Sequence, residues 1–323
     1  MANNKIPIYQ YSVEGKFIKP YNSIAEAANT LDVDESTIRK RLDTGKTALG
    51  FLWSKFNKKE DVEILPRAKI LVLDIETAPL LAYTWGLWKQ NISIDAIVTD
   101  WFMLSWAAKF LGESDVYSNV LTSEEAIEQD DKRIVTNLWT LLDEADIIVA
   151  HHGDQFDMPR IRSRFLIHDL APPSPYKQID TKKIAAKEFG FSSNKLDALA
   201  KLLGHEAKHK TSLELWINCM KGKSRALQEM EHYNVQDIYV LENVYFSLRP
   251  YIKGHANLDL YVDSKNPVCP SCGEDSLKLV SGKYYYTQVV RYPIYKCENC
   301  NSICRAKKGN KYKNKKSVSP IPR

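Results

Sequence analysis

Two apolar runs, each followed by acidic residues, most constrain how this chain can fold. Ile70–Leu73 and Ala145–His151 are short and strongly apolar, which is typical of strands buried on both faces of a sheet. Trp101–Ala107 resembles a third strand, although so short a run could equally be helical. Thr122–Asp143 has helical periodicity instead. The side chains expected on its core face are Ile127, Ile134, Leu138, Leu141 and Leu142. This mixture predicts an α/β or α+β sheet domain.

Four carboxylates near these elements are candidates for one metal site. Asp74 and Glu76 end the first run, and residues two apart in an extended strand point to the same face. Asp157 follows the second run in HHGDQFDMP, just before a proline, where a helix can start. Asp237 lies four residues after Tyr233, so both share one face if the segment is helical. Clustered carboxylates repel one another and need cations. Two Mg²⁺ or Mn²⁺ ions about 4 Å apart can promote hydrolysis of a phosphodiester.

The motifs D-I-E-T, F-D-x-P and Y-x-x-x-D, in this order between Lys69 and Arg249, resemble the DEDDy branch of the DnaQ-like exonucleases. That family has a ribonuclease H-like fold and includes the proofreading domains of family B polymerases. The resemblance implies a metal-dependent 3′→5′ exonuclease. By that resemblance, Asp74 would bridge two Mg²⁺ or Mn²⁺ ions. Glu76 and Asp237 would complete the site of one ion, and Asp157 would serve the second. Tyr233 would orient the attacking water.

Three residues near the second motif have more than one interpretation. His152 stands where related motifs usually have Asn, and it could contact the terminal nucleotide or be a structural histidine with its hydrogen bonds satisfied. Asp154 is an additional acid for which a solvated or capping role is favoured over metal binding. Asp180, in QIDTKK, resembles a recurring family position and is expected to support the site without binding the metal.

The segment SSNKLDALAKLLG resembles the helix that lines the substrate groove in these enzymes. Asn194 and Lys195 are therefore candidates for phosphate contacts. The alternative is an ordinary amphipathic helix capped by Ser192 or Ser193.

The first segment, Ile6 to about Phe56, predicts a small α+β module. IPIYQYS and GKFIKPY alternate like two strands around a turn at Glu14-Gly15. Ser23 and Glu26 have capping-box spacing before one helix, and Asp34 can cap a second helix, ESTIRKRLD. Together with the tight turn at Asp32-Val33, they form a helix-turn-helix pattern. The basic residues of the second helix, candidates for nucleic-acid contacts, are Arg39, Lys40 and Arg41.

The order of these elements resembles the small modular DNA-binding repeat found beside homing endonucleases. A tiny protein-binding domain is the alternative. Such modules are frequent in phage and mobile-element proteins, which favours that origin.

Two C-x-x-C pairs predict a structural zinc ribbon. Cys269 and Cys272 are separated from Cys297 and Cys300 by a strand-like segment, KYYYTQVVRYPIYK, and four thiolates suit one tetrahedral Zn²⁺. Metal binding would supply folding energy to so small a module. Cys304 could substitute for Cys300, although a bystander thiol is favoured. The sixth cysteine, Cys219, is expected in the core.

Charge divides the chain into an acidic centre with basic ends. The net charge is +3 for residues 1–58, −7 for 59–251 and +9 for 252–323. Basic ends suit a polyanion, and an acidic centre suits cations. The predicted domains are a helix-turn-helix module (1–58), a ribonuclease H-like exonuclease domain (66–252), a zinc ribbon (264–306) and a disordered basic tail (307–323). Lys307 and Lys308, in that tail, are candidates for phosphate contacts.

Composition and motifs together favour a nucleic-acid enzyme. No apolar run is long enough for a membrane span, and the N-terminus lacks a signal-peptide core, so a reducing cytoplasm is expected. DNA is favoured over RNA as the substrate, with replication or repair proteins as candidate partners. The alternatives are a regulatory factor with a vestigial nuclease domain, a structure-selective endonuclease and a ribonuclease.

Overall fold

The computed structural model describes residues 7–13, 17–55, 68–205, 211–262, 266–288 and 290–309. Two compact units make up the chain, namely residues 1–67 with 261–265, and residues 68–260 with 266–323. Across the ranges just given, no helix has both the length and the apolar character needed to cross a membrane.

The first unit is a small α+β module. Its four-stranded antiparallel sheet has the order β2-β1-β4-β3, and the strands are β1 (Ile8–Tyr11), β2 (Phe17–Tyr21), β3 (Thr47–Ala48) and β4 (Phe51–Ser54). Between β2 and β3 lie α1 (Ile24–Thr30) and α2 (Glu35–Arg39). The helices and the sheet share a buried core that includes Ile8, Tyr21, Ala27, Ile38 and Trp53. The predicted turn at Glu14-Gly15 lies outside the described residues.

Both helices of this module begin at the predicted caps. The Ser23 hydroxyl accepts a hydrogen bond from the backbone N–H of Glu26 at 3.1 Å, and the Asp34 carboxylate accepts one from the N–H of Ser36 at 2.8 Å. Each bond satisfies an N–H group that has no partner within its own helix.

The second helix is shorter than predicted. The sequence predicted a helix from Glu35 to Asp43, but α2 ends at Arg39. Asp43 has a left-handed backbone, with φ of 58°. Its carboxylate accepts hydrogen bonds from the Ser54 hydroxyl at 2.8 Å and the Lys55 N–H at 2.9 Å. These bonds hold Asp43 against the end of β4 in a conformation that a helix cannot continue.

A mixed five-stranded sheet forms the centre of the second unit, with the order β11-β10-β5-β8-β9. Its strands are β5 (Ile70–Thr77), β8 (Met103–Phe110), β9 (Tyr117–Val120), β10 (Ile147–Ala150) and β11 (Lys177–Asp180), while β6 (Leu81–Ala82) and β7 (Ile97–Thr99) form a separate pair. β10 runs parallel to β5 and β11, whereas β8 is antiparallel to β5 and β9. All three apolar runs are therefore adjacent strands, although the third begins at Met103 and not at Trp101.

Helices cover this sheet. They are α3 (Ser123–Glu128), α4 (Lys132–Glu144), α5 (Asp157–Ile167), α6 (Thr181–Glu188), α7 (Leu196–Leu202), α8 (Leu213–Met220) and α9 (Ser224–Leu248). The longest, α9, packs across β5, β8 and β9. This packing brings the middle of α9 to the strand that carries the first two acids.

The single helix predicted over Thr122–Asp143 is two helices, because the Asp131 carboxylate is bonded to groups outside this segment. Gln129 ends α3 in the left-handed region, with φ of 60°. The fully buried Asp131 carboxylate accepts hydrogen bonds from the N–H of Met103 at 2.7 Å and from Arg164 at 2.5 Å. A continuous helix would not hold Asp131 in this position. Ile127, predicted to face the core, is 63% exposed.

The C-terminal part of the second unit is a three-stranded sheet in the order β12-β13-β14. Its antiparallel strands are β12 (Leu277–Tyr286), β13 (Arg291–Cys297) and β14 (Ile303–Arg305). The strand-like segment between the two cysteine pairs thus contains a hairpin. The preceding chain packs on the cysteine loop, where the N–H of Leu258 donates to the carbonyl of Pro270 at 2.9 Å.

Candidate metal centre and nucleic-acid contacts

Three of the four predicted carboxylates meet at one point. Asp74 and Glu76 project from β5 on the same face, and Asp237 reaches them from the middle of α9. One carboxylate oxygen from each residue lies within 4.8 Å of the others. Asp237 is only 1% exposed, whereas the other two are half-buried. Oxygen atoms at this separation suit a hard divalent cation such as Mg²⁺ or Mn²⁺.

Asp157, the fourth acid, lies beside this trio but is not one of the three mutually close groups. It is the first residue of α5 and is 2% exposed. Its carboxylate accepts a hydrogen bond at 3.2 Å from the N–H of Ile75, which stands between Asp74 and Glu76. Burial raises the pKa of Asp157 to about 7, chiefly because the charged form is desolvated. A nearby cation would favour the ionised form.

Asn234 holds Asp74 in place, and the sequence analysis missed it. Its side-chain amide donates to Asp74 Oδ2 at 2.7 Å, while its Oδ1 accepts from the Ser105 hydroxyl at 3.0 Å. Both Asn234 and Ser105 are fully buried. The bond from Ser105 orients the amide so that its NH₂ faces the carboxylate. The one available signal was the position of Asn234, three residues before Asp237 on the same helix.

Tyr233 lies on α9 one turn before Asp237, as predicted. It is half-buried, and its ring packs edge-on against Trp216 with a centroid separation of 6.1 Å. The contact with Trp216 of α8 holds the ring while leaving part of it accessible.

A pocket of about 490 Å³ opens next to the trio. Glu76 lines it, and so do three aromatic side chains, Trp101, Phe156 and Trp216. Arg160 also lines the pocket, and its guanidinium lies 3.9 Å from the ring centre of Phe156 and 5.4 Å from that of Trp101. Flat rings and a cation beside a metal site suit a base and a phosphate. Sequence reasoning missed Arg160, although its place one turn after Phe156 was a usable signal.

The turn after β10 is fixed by Asp180. The carboxylate of Asp180 accepts hydrogen bonds from the N–H groups of His152 at 3.0 Å, Asp154 at 3.2 Å and Lys183 at 3.0 Å. His152 has φ of 75°, a left-handed conformation that histidine adopts more readily than most residues. At Gly153, a Cβ would lie 2.6 Å from the Ala150 Cβ, so the turn needs glycine there. Asp180 therefore shapes the loop that leads to Asp157.

Asp154 is exposed on the turn after β10. Its carboxylate accepts hydrogen bonds from Gln178 Nε2 at 2.5 Å and Lys183 Nζ at 3.1 Å. These bonds tie the turn to β11 and α6. Asp154 is not among the three acids whose oxygens converge.

Asn194 and Lys195 immediately precede α7. Lys195 is exposed at the N-cap position, and neither Ser192 nor Ser193 caps the helix by a side-chain bond. The backbone carbonyl of Asn194 lies 3.0 Å from His151 Nε2, which anchors this segment to the end of β10. The segment therefore adjoins the turn that contains His152.

The four predicted zinc ligands converge. The cysteine pairs form one cluster whose ligand atoms all lie within 4.8 Å of one another, with Sγ–Sγ separations of 3.6 Å for Cys269 with Cys300 and for Cys272 with Cys297. The Ser271 N–H donates to the Cys269 sulfur at 3.4 Å. Four converging thiols suit a closed, structural Zn²⁺ site.

The other two cysteines lie outside this cluster. Cys304 is half-buried on β14. Cys219 is fully buried in the main core, as predicted, and burial raises the pKa of its thiol to about 12.

Most of the predicted basic contacts are exposed, whereas Arg41 is half-buried. Arg39 is paired with Glu35 along α2 at 2.9 Å, and Lys40 and Arg41 follow the end of that helix. Lys307 is paired with Asp259 at 2.8 Å. Lys308 is also exposed.

Comparisons with known proteins agree with this fold. The RNase_H_2 family of the RNase H superfamily matches residues 109–249, and the NUMOD1 domain matches residues 6–42. The first match includes Asp157, Tyr233 and Asp237 but begins after β5. No curated protein matches the chain.

Among solved structures, the chain is similar to the family B DNA polymerase from the hyperthermophilic archaeon Pyrobaculum calidifontis. The sequence identity is 14% and the TM-score is 0.45. The similarity covers 70% of this chain but only 32% of the polymerase chain, so this chain spans about a third of that protein.

The family match over residues 109–249 and the mixed sheet confirm the predicted fold class. The chain has an RNase H-like α/β core, a small N-terminal module and a C-terminal cysteine cluster consistent with a zinc ribbon. The assignment to the DEDDy branch and the phage origin stay predictions.

Proposed function

We propose that the protein is a metal-dependent 3′→5′ exonuclease that hydrolyses phosphodiester bonds of DNA. The observation that carries this proposal is the convergence of Asp74, Glu76 and Asp237 beside a pocket lined by aromatic rings and Arg160. Hard oxygen ligands beside a surface suited to nucleotides favour phosphodiester chemistry over other metal-dependent reactions.

The carboxylates fit two divalent cations, Mg²⁺ or Mn²⁺. In this proposal Asp74 would contribute to both sites, Glu76 and Asp237 would complete one of them, and Asp157 would serve the other. Bound there, the cations would supply a more acidic water and neutralise charge on the leaving oxygen. Zn²⁺ at the four cysteines would stabilise the ribbon and take no part in hydrolysis.

The surrounding side chains orient the reactants. Tyr233, held by Trp216, would donate or accept a hydrogen bond at the attacking water. Arg160 would contact a phosphate oxygen of the terminal nucleotide, while the rings of Phe156 and Trp101 enclose its base. Asn234 keeps the Asp74 carboxylate in the orientation that the cations require.

The proposed division of labour follows the predicted domains. Residues 66–252 would carry the catalytic centre, while residues 1–58, the zinc ribbon (264–306) and the basic tail (307–323) would hold nucleic acid through positive charge. The NUMOD1 match favours DNA over RNA, and single-stranded ends suit a pocket with room for one unpaired base.

Degradation of a 5′-labelled single-stranded oligonucleotide in Mg²⁺ tests the proposal. We expect a ladder of products shortened from the 3′ end, and its loss in Asp74→Ala. Asp154→Asn is the matched control, since this acid lies nearby without joining the trio. The proposal fails if the parent protein makes no ladder in Mg²⁺ or Mn²⁺, or if Asp74→Ala is as active as the parent.

Further substrates separate the alternatives. Covalently closed circular DNA has no end, so its cleavage would indicate an endonuclease. Faster degradation of RNA than DNA of the same sequence would indicate a ribonuclease. Tight binding without any cleavage would indicate a regulatory factor with a vestigial nuclease domain.

A further inference from the structure

The two faces of the ribbon sheet have different surroundings. Alternation along β13 puts Tyr295 and the zinc-site residue Cys297 on one face, and their cross-strand partners include Leu277 and Cys304. This inner ribbon face leads to the cysteine cluster. The opposite face, which we name the outer ribbon face, consists of Tyr285, Tyr292, Ile294, Lys278, Lys296, Ile303 and Arg305.

The outer ribbon face displays stacked aromatic and cationic groups. Tyr285 and Tyr292 are directly opposite each other on β12 and β13. Arg305, from β14, lies over both rings, at 4.2 Å from the centre of Tyr292 and 5.3 Å from that of Tyr285. Half of the Tyr285 side-chain surface is exposed, at 51%. A guanidinium plane and an open ring at one surface can each stack on a nucleobase.

Two lysines share the outer ribbon face with these rings. Lys278 and Lys296 form a cross-strand pair on the same face and are exposed, although Lys278 is also paired with Glu298. Residues 266–309 contain seven Lys/Arg and three Asp/Glu. A protein partner with an apolar surface would leave these cations without partners, whereas a polyanion would neutralise them.

We propose that the outer ribbon face binds an unpaired nucleic-acid strand, with bases stacked on Tyr285 and Arg305 and phosphates beside Lys296. The unpaired form is required because base pairs in a duplex are already stacked on their neighbours, and only an unpaired strand presents free base faces. This proposal and the proposed function both depend on nucleic-acid binding by the protein. Only the proposed function also depends on cleavage of the strand.

Binding is measured on the full-length chain carrying Asp74→Asn, so that the strand stays intact without a chelator that would remove zinc. The probe is a fluorescent oligothymidylate, and its dissociation constant is read from anisotropy at fixed salt. Tyr285→Ala should weaken binding about fivefold, the lower end for loss of one stacked base. Tyr285→Trp should retain or improve it. Arg305→Gln should weaken binding and also reduce its salt dependence.

Tyr286→Ala is the matched control, because Tyr286 is an exposed tyrosine of the same strand on the inner ribbon face. It should bind as the parent does. The zinc content of every variant is measured to identify any that has lost the ribbon fold. If Tyr285→Ala has lost zinc, the affinity of Tyr285→Trp, which should be retained or improved, tests the proposal.

Unchanged affinity in Tyr285→Ala with zinc retained would overturn the proposal, as would an equal loss in Tyr286→Ala. An equal loss of blunt duplex binding in Tyr285→Ala would overturn the requirement for an unpaired strand. If Tyr285→Ala weakens strand binding as expected but the protein with Asp74 intact degrades no DNA, the proposed function is wrong and the binding role of the outer ribbon face stands.

Discussion

Replacing Asn234 by leucine should weaken metal binding at the carboxylate trio while leaving the fold intact. Leucine has nearly the shape of asparagine but cannot donate to Asp74 or accept from Ser105. The lost bond is a short one, 2.7 Å, from a fully buried amide to a carboxylate oxygen. Without it, the Asp74 carboxylate loses a bond that orients it towards the position that a cation requires.

The magnitude follows from the type of bond. A hydrogen bond to a charged group contributes about 1.5–3 kcal/mol, and 1.4 kcal/mol corresponds to a tenfold change in binding. We therefore expect Asn234→Leu to raise the Mn²⁺ dissociation constant roughly ten- to hundredfold, the range found when a group that orients a metal ligand is removed. Ser105→Ala should have a smaller effect of about fivefold, because it removes one neutral bond and acts on Asp74 only through Asn234.

Two measurements separate positioning from a general structural role. Mn²⁺ binding by calorimetry reports the site directly, and nuclease activity as a function of Mn²⁺ reports its use. The reasoning predicts that high Mn²⁺ restores most of the activity of Asn234→Leu. It also predicts that adding Ser105→Ala to Asn234→Leu has little further effect, because the two residues act through one chain of bonds. Unchanged Mn²⁺ affinity in Asn234→Leu would refute this account, and so would lost activity that Mn²⁺ does not restore in a normally folded variant.

Two further perturbations test the ribbon and the core. Cys297→Ser should remove zinc from the protein as measured by elemental analysis, whereas Cys304→Ser should retain one Zn²⁺ per chain; equal zinc content in both would contradict the four-cysteine site. Asp131→Ala should lower the free energy of unfolding by about 3–5 kcal/mol in urea denaturation, because it leaves the buried Arg164 without its carboxylate. His168→Ala, which removes the other side chain on that carboxylate, should cost less, and the reverse order would show that Arg164 is not the dominant partner.

Local spacing was enough to predict the parts of the site that depend on one element. Asp74 and Glu76 share a face because alternate residues of a strand do so, and Tyr233 lies one helical turn before Asp237. The paired C-x-x-C units predicted the cysteine cluster for the same reason, since each pair forms one tight turn.

The incorrect predictions arose where distant residues compete with local preference. Asp131 interrupts a helical pattern because its carboxylate binds the N–H of Met103 and the side chain of Arg164. The helix predicted to reach Asp43 does not extend that far, and Asp43 itself is held in a left-handed conformation by bonds to Ser54 at the end of β4 and to Lys55 just after it. The periodicity of one helix gives no information about these distant partners.

The sequence by itself determined which residue types are present for the chemistry and which face of each element they occupy. Only the tertiary structure decided which of them meet. The packing of α9 across β5 brings Asp237 within reach of Asp74 and Glu76, and it also buries Asn234 against Asp74. Those contacts join residues more than 150 positions apart in the chain. Their distances depend on how the helix and the sheet pack, which no local periodicity specifies.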